Sequence, residues 1–335
     1  MVKFHHQRFS KCVGDDFGGR NQFPSTNQVS VPDPSAIATL EETLETRIMH
    51  LGPGDPATLQ SMRVLGDNYL GLGMKEKGIA MFRRRLEAGR AAHNLGPENP
   101  NFILLKNDLA LAYSRAREFE EAVKIGEEIN AVLDKVFAPE DTNFLTMRYN
   151  LGYYYEFSGK LREAVVLYEE VLAACRATND YEHRVFLITL VGLEALYVRM
   201  GRANDSLKIC QEIVDVYEKL RGESDPATLA YMKLLAKHYL DRGRPRINDA
   251  VAVYARIVRI SKTHKGAENT DTLVAMSDLA NAYRVAGQKE EAKKVLRETL
   301  EIRKRVLGPT HRDTLQNMDD LVLMDLNPSL TSWTV

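Results

Sequence analysis

Apolar and small residues recur along this chain with a long period and, inside each period, a helical one. Tyr69, Tyr113, Tyr155, Tyr197, Tyr239 and Tyr283 stand 44, 42, 42, 42 and 44 residues apart, a spacing that marks a stack of like units. Four residues before each tyrosine is a leucine: Leu65, Leu109, Leu151, Leu193, Leu235 and Leu279. Three before it come Gly66, Ala110, Gly152, Glu194, Ala236 and Ala280, small in all but one unit. Nine after it come Gly78, Ala122, Ala164, Ser206 and Ala292, with Ala250 in register once a two-residue insertion around Pro245 is allowed for. Spacings of three and four put leucine, small residue and tyrosine on one helix face, where small side chains let a second helix come close. Each unit is therefore predicted to be a helical hairpin.

The punctuation between hairpins is equally regular: LGPGDP, LGPENP, FAPEDT, RGESDP, KGAENT and LGPTHR. Gly52, Gly96, Gly222, Gly266 and Gly308 suit the left-handed position that ends a helix. Three residues on, Asp55, Asn99, Asp141, Asp225 and Asn269 are predicted to cap the next helix, and Pro56, Pro100 and Pro226 to open it. His183 and His311 fall in the cap column and are read as caps or turn residues. The fourth hairpin lacks the Gly-Pro hinge and carries Glu194 in the small column, which predicts a bend or looser packing there.

Residues 1–34 carry no helical period and are read as disordered. Residues 35–326 form the repeat array, one continuous domain, and residues 327–335 a tail in which Trp333 is loose or packs on the last helix. Ser35–Leu51 matches the second helix of a unit without its first, so its upstream face is expected to expose leucine and isoleucine. Phe9, Phe17, Phe23 or Val29 folding back, or self-association with another copy of the chain, would cover it. Six full hairpins follow, and a seventh first helix opens at His311 as a cap. There Leu315 and Leu321 keep the apolar columns, while Val322 and Asp325 break the small and tyrosine columns.

The pattern resembles the tetratricopeptide repeat, in the longer variety of about 42 residues found in kinesin light chains. The resemblance runs from Ser35 to about Leu326. It implies an all-α fold, a right-handed α-solenoid of helical hairpins whose first helices line a concave groove. Groove-facing positions in such repeats lie two and six residues before the tyrosine and one after it. Here they hold Arg63, Asn107, Leu111, Tyr149, Tyr153, Val191, Lys233, Lys237, Asn281 and Arg284, with Phe157, Leu104 and Ile188 from neighbouring columns. That wall is apolar and aromatic in hairpins two to four and cationic in five and six. The implied partner is a protein presenting an extended peptide, with a bulky apolar anchor beside acids; asparagines such as Asn107 and Asn281 would pair with its backbone. The alternative is a small-molecule or lipid sensor, with or without catalysis, whose groove closes into an apolar pocket in hairpins two to four. Nothing in residues 1–34 has the heptad spacing of a coiled coil.

Composition narrows the chemistry further. A formal net charge of −1 over 335 residues leaves no footprint for nucleic acid, and no apolar run approaches the ~20 residues that span a bilayer. Cys12, Cys175 and Cys210 are scattered and odd in number, which argues against disulfides or a zinc site and for a reducing, cytoplasmic setting. His5 and His6 lack further ligands nearby, so no metal is expected. The sequence has no HExxH, GxSxG or GxxxxGK[ST] stretch, and Glu156 and Glu194 are read as solvated or paired acids. A non-enzymatic module without a cofactor is the expectation.

Overall fold

The computed structural model describes residues 34–178, 181–241 and 246–326. The readings of Phe9, Phe17, Phe23, Val29, the insertion around Pro245 and Trp333 lie outside the described residues. Those residues hold fourteen α-helices and no strand. They divide into two compact units, with the boundary between Met200 and Gly201, inside the divergent fourth hairpin. In the first unit, α1 (Pro34–Leu51) precedes the hairpins α2 (Pro56–Gly71)/α3 (Lys75–His93), α4 (Pro100–Arg115)/α5 (Phe119–Val136) and α6 (Thr142–Ser158)/α7 (Leu161–Ala177), then α8 (Arg184–Arg199). The second holds α9 (Ala203–Arg221), α10 (Pro226–Asp241)/α11 (Ile247–Lys265), α12 (Thr270–Val285)/α13 (Lys289–Val306) and α14 (Arg312–Leu326). Each unit is an all-α stack of hairpins.

The small columns sit where the two helices of a hairpin touch. A β-carbon added at Gly66 would come within 2.8 Å of the Phe82 ring, and one at Gly78 within 2.6 Å of Leu70. Ala110, Ala122, Ala164, Ser206, Ala236, Ala250, Ala280 and Ala292 are all buried. At Gly152 the Tyr168 ring of α7 fills the space, 2.7 Å from where a β-carbon would stand, and the same ring lies 3.0 Å from the β-position of Gly192 on α8.

The caps form as the punctuation predicts. Side-chain oxygens of Asp55, Asn99, Asp141, Asp225 and Asn269 accept from backbone N–H groups two residues on, at 2.6–2.9 Å. His183 and His311 do the same through Nδ1, each at 3.2 Å. In each the Nδ1 lone pair takes the place of the cap oxygen. One hinge differs from expectation. Gly96 does not take the left-handed conformation; Asn94 does, with φ 47° and ψ 47°, because α3 ends two residues earlier, at His93, and asparagine tolerates that region.

Five of the six column tyrosines tie their hairpin to the preceding helix. Tyr155 donates to Glu127 at 2.9 Å and Tyr239 to Gln211 at 3.3 Å, while Tyr69 and Tyr197 donate to Glu41 and Glu169; each partner lies 28 residues back on the previous second helix. At Tyr113 the polarity is reversed, its hydroxyl accepting from Arg83 Nε at 2.9 Å, and the residue 28 before Tyr283 is Ala255, which offers no side-chain acceptor. Burial and the neighbouring carboxylates push the phenols of Tyr69 and Tyr155 up to about 12.

The end helices are less apolar outside than the sequence suggests. On α1, Leu44 is buried, and Ile37, Leu40 and Ile48 are half-buried against Met62, Leu65 and Tyr69. The positions fully in solvent are mainly alanine, threonine and glutamate, with Met49, His50 and Leu51 the exceptions. Arg47 of α1 donates to Ala57 O and Ser61 Oγ, the same offsets at which Arg303 of the second helix α13 donates to Asp313 O and Asn317 Oδ1. On α14, Leu321 packs against Ala280, Ala292 and Leu296, whereas Leu315 and Val322 are exposed because no second helix covers them among the described residues.

Gly152→Ala is expected to lower stability by about 1–3 kcal/mol in urea denaturation, since the added carbon meets the trapped Tyr168 ring. A second expectation concerns alkali. The raised tyrosine pKa values mean that the neutral phenols favour the folded state. Their contribution is complete below pH ~10 and is lost as the pH rises through about 12. Urea titrations across that window should show a shallower loss for the Tyr69→Phe, Tyr155→Phe double variant than for the wild type; equal slopes would refute the assignment.

Candidate functional site

In the first unit, α6 carries the aromatic residues that the sequence singled out, and they divide into two sets. Tyr149 points inward: it is 9% exposed and stacks on Tyr168, with ring centroids 5.3 Å apart and planes at 15°. Burial raises its phenol pKa far above the ordinary value. It supports the wall from behind and offers little surface, unlike the exposed anchor expected. The reason is local: Gly152 and Gly192 leave a slot, Tyr168 enters it from α7, and Tyr149 closes over the ring.

Tyr153 and Phe157 form the other set. Their rings are 4.6 Å apart, and Phe119, the first residue of α5, stacks on Phe157 at 5.1 Å and meets Tyr153 edge-on at 6.3 Å. Phe157 is 38% exposed. These three rings make a shelf between the second and third hairpins. Leu104 on α4 and Val198 on α8 are also exposed, and Leu111, Ile188 and Val191 are half-buried. Phe119 was missed because it belongs to a second helix, outside the groove columns. Its signal is an aromatic residue at a position held by Lys75, Leu161, Ala203 and Lys289 in other units.

The polar groove positions mostly join successive first helices. Asn107 is 4% exposed, and its Oδ1 accepts from Asn150 Nδ2 at 3.1 Å, linking α4 to α6. It has no surface for a peptide backbone, in contrast to the sequence reading. Arg63 lies 4.0 Å from Asp67 on its own helix, and Asp67 is also held by Arg115 of α4. Glu156, 3% exposed, accepts from Arg199 Nη1 at 2.9 Å and from the Tyr168 hydroxyl at 3.3 Å, linking α6 to α8 and α7.

In the second unit the cations are less available than their columns imply. Lys233 pairs with Asp278 of α12 at 3.2 Å. Arg284 is half-buried and donates to Asn281 Oδ1 at 2.6 Å; burial holds its guanidinium below the ordinary value, opposed by Asp320 of α14. Lys237 is exposed, and Asn281 is exposed with its amide turned to Arg284. No group of three His, Cys, Asp or Glu among the described residues could hold a metal, and no helix among them is long and apolar enough to cross a membrane.

Two family profiles match the sequence, both described as tetratricopeptide repeat, over residues 101–177 and 272–313. The chain carries tetratricopeptide repeats. The matched segments cover hairpins two and three in the first unit and most of hairpin six in the second. No curated protein sequence matches the chain. Among solved structures, nearly identical TPR-like repeats described as a kinesin light chain of Podosopora anserina align at 25% identity, covering 63% of this chain and 97% of that one, with a TM-score of 0.49. BtubC (BKLC) from P. vanneervenii aligns at 16% identity over 92% and 98%, TM-score 0.36. The apo quorum sensor NprR from B. thuringiensis aligns at 16% identity over 88% and 83%, TM-score 0.45.

The turn before Phe119 departs from its counterparts in these repeats. Arg117 has φ 68°, where the other described turns within hairpins use Gly73, Gly159, Gly201 and Gly287, all at positive φ. A side chain in that region is strained. Arg117→Gly is expected to stabilise the protein by about 0.5–1 kcal/mol in thermal or urea unfolding; a loss of stability would show that the arginine side chain contributes more than the strain removes.

Proposed function

We propose that this chain is a non-enzymatic interaction module whose first unit holds an extended peptide segment of a protein partner along its first helices. The observation that carries this reading is the shelf of Phe119, Tyr153 and Phe157. Three rings in mutual contact, with one more than a third exposed, are a rigid apolar seat of the kind that anchors a bulky side chain. Leu104 on α4 and Val198 on α8 are further exposed apolar side chains of the same unit. Tetratricopeptide repeats present such faces for protein interaction.

In this reading Leu111, Val191, Tyr153 and Phe157 touch the partner, while Tyr149 and Asn107 hold the wall in shape. Among the cations at groove positions in the second unit, Lys237 is the exposed one, available to acids of the partner. The setting proposed for it is the cytoplasm, where the buried thiols of Cys175 and Cys210 stay reduced.

The test is a pull-down from native extract with the wild type beside a Phe119→Ser, Phe157→Ser variant, after circular dichroism shows both equally helical. Proteins captured by the wild type and lost by the variant are expected. Recovery of the same set by both would end the groove reading.

A further inference from the structure

The helices at the two ends of the array carry the two halves of one hairpin. Set against α13, α1 repeats the stripe through which a second helix meets its first. Ala36, Leu40, Thr43 and Arg47 stand where α13 has Ala292, Leu296, Thr299 and Arg303, the same four residues at the same spacing. In α13 all four are buried, whereas in α1 Ala36 is exposed and the other three are half-buried. The two arginines differ in one bond. Arg303 donates through Nη1 to α14 and through Nη2 to Leu273 O of α12 at 3.4 Å. Arg47 makes the matching Nη1 bonds to α2 and has no such carbonyl at Nη2 among the described residues. At the other end, α14 repeats the stripe of α12. Leu315, Met318 and Leu321 stand where α12 has Leu273, Met276 and Leu279, and Val322 takes the place of Ala280, which packs with Ala292 and Leu296 of α13. Leu273, Met276 and Ala280 are buried, but Leu315 is 47% exposed and Val322 54%.

We propose that α1 of a second copy of this chain packs on α14 as its second helix. Ala36 and Leu40 of one copy then cover Val322 of the other, and the stem of Arg47 lies over Leu315, with its guanidinium on the Leu315 carbonyl as that of Arg303 is on Leu273. Val322 is bulkier than the alanine it replaces. The residue opposite it, Leu40, is smaller than Phe82 and Tyr168, which hold the same place in hairpins one and three and press against Gly66 and Gly152. By helical spacing Glu41, Glu42 and Glu45 lie off the stripe, so the carboxylates of α1 stay out of the contact. The two surfaces differ, so the contact is heterologous and copies add head to tail. No turn joins the two helices, which makes association dependent on concentration. Neither helix carries a residue of the aromatic shelf, and the inference stands apart from the proposed peptide binding.

Sedimentation velocity of the full chain from about 1 to 100 μM is the test. The weight-average mass of the wild type is expected to rise with concentration above that of one chain. Ala36→Glu and Val322→Glu change exposed side chains, one at each end. Each variant, once circular dichroism shows wild-type helicity, should keep the mass of one chain by itself. Mixed in equal amounts, the two should form a dimer and nothing larger, because the intact α14 of one meets the intact α1 of the other while the remaining ends are blocked. A wild type that stays a single chain throughout overturns the inference. Self-association of either variant alone does so too, since it would mean a symmetric contact through α1 or through α14, and so does a mixture that remains monomeric.

Discussion

Where Gly66 of α2 faces Phe82 of α3, and Gly78 faces Leu70, there is no room for one more carbon atom, and each hairpin depends on a contact of this kind. A small residue at a helix crossing fixes how close two axes come, and so fixes where every longer side chain on those helices can reach. From that separation follow the reach of Tyr69, Tyr155, Tyr197 and Tyr239 to the second helix 28 residues back and the burial of the leucine column. The position of the shelf depends on it too, since Phe119 meets Tyr153 and Phe157 only because α5 and α6 are held at a set distance. Glu194, the non-conforming member of the column, is itself buried in α8, the last helix before the unit boundary.

Much of this was legible in the sequence, because the features concerned repeat and are local. Caps, hinges and the small and leucine columns depend on residues within one turn or one hairpin, and a period of 42 displays them repeatedly. The Gly96 hinge was misplaced for a local reason as well, since Asn94 can adopt the left-handed conformation two residues earlier. The site was less legible. Column position tells which way a Cα–Cβ bond points, but not how far a ring swings or what fills a gap next to it. Tyr149 and Tyr153 are four residues apart on one face, yet one is core and the other shelf, and the difference is made by Tyr168 arriving from another helix. Phe119 was invisible to a reading that confined the groove to three columns of the first helix.

The charged residues of the first helices show the same limit. Read singly, Arg63, Lys233 and Arg284 suggest a surface seeking acids. Placed in the fold, they face Asp67, Asp278 and Asp320, all from first helices. Partly exposed pairs of this sort contribute little to stability, but they set the electrostatic face each unit shows a partner, largely balanced instead of cationic.

The tyrosine bonds bear on how such an array can change length. Tyr155 reaches Glu127 and Tyr197 reaches Glu169, and the two pairs are offset by one period of 42 residues. Removing residues 141–182 would bring Tyr197 to the same separation from Glu127, so the junction would find its donor and acceptor again. The junction at Tyr113 has the opposite polarity, with Arg83 donating to the phenol. Gain or loss of whole hairpins by unequal recombination is therefore compatible with the bonding pattern on the C-terminal side of Tyr113, whereas the leading junctions, where a donating and an accepting tyrosine adjoin, would be mismatched by the same event.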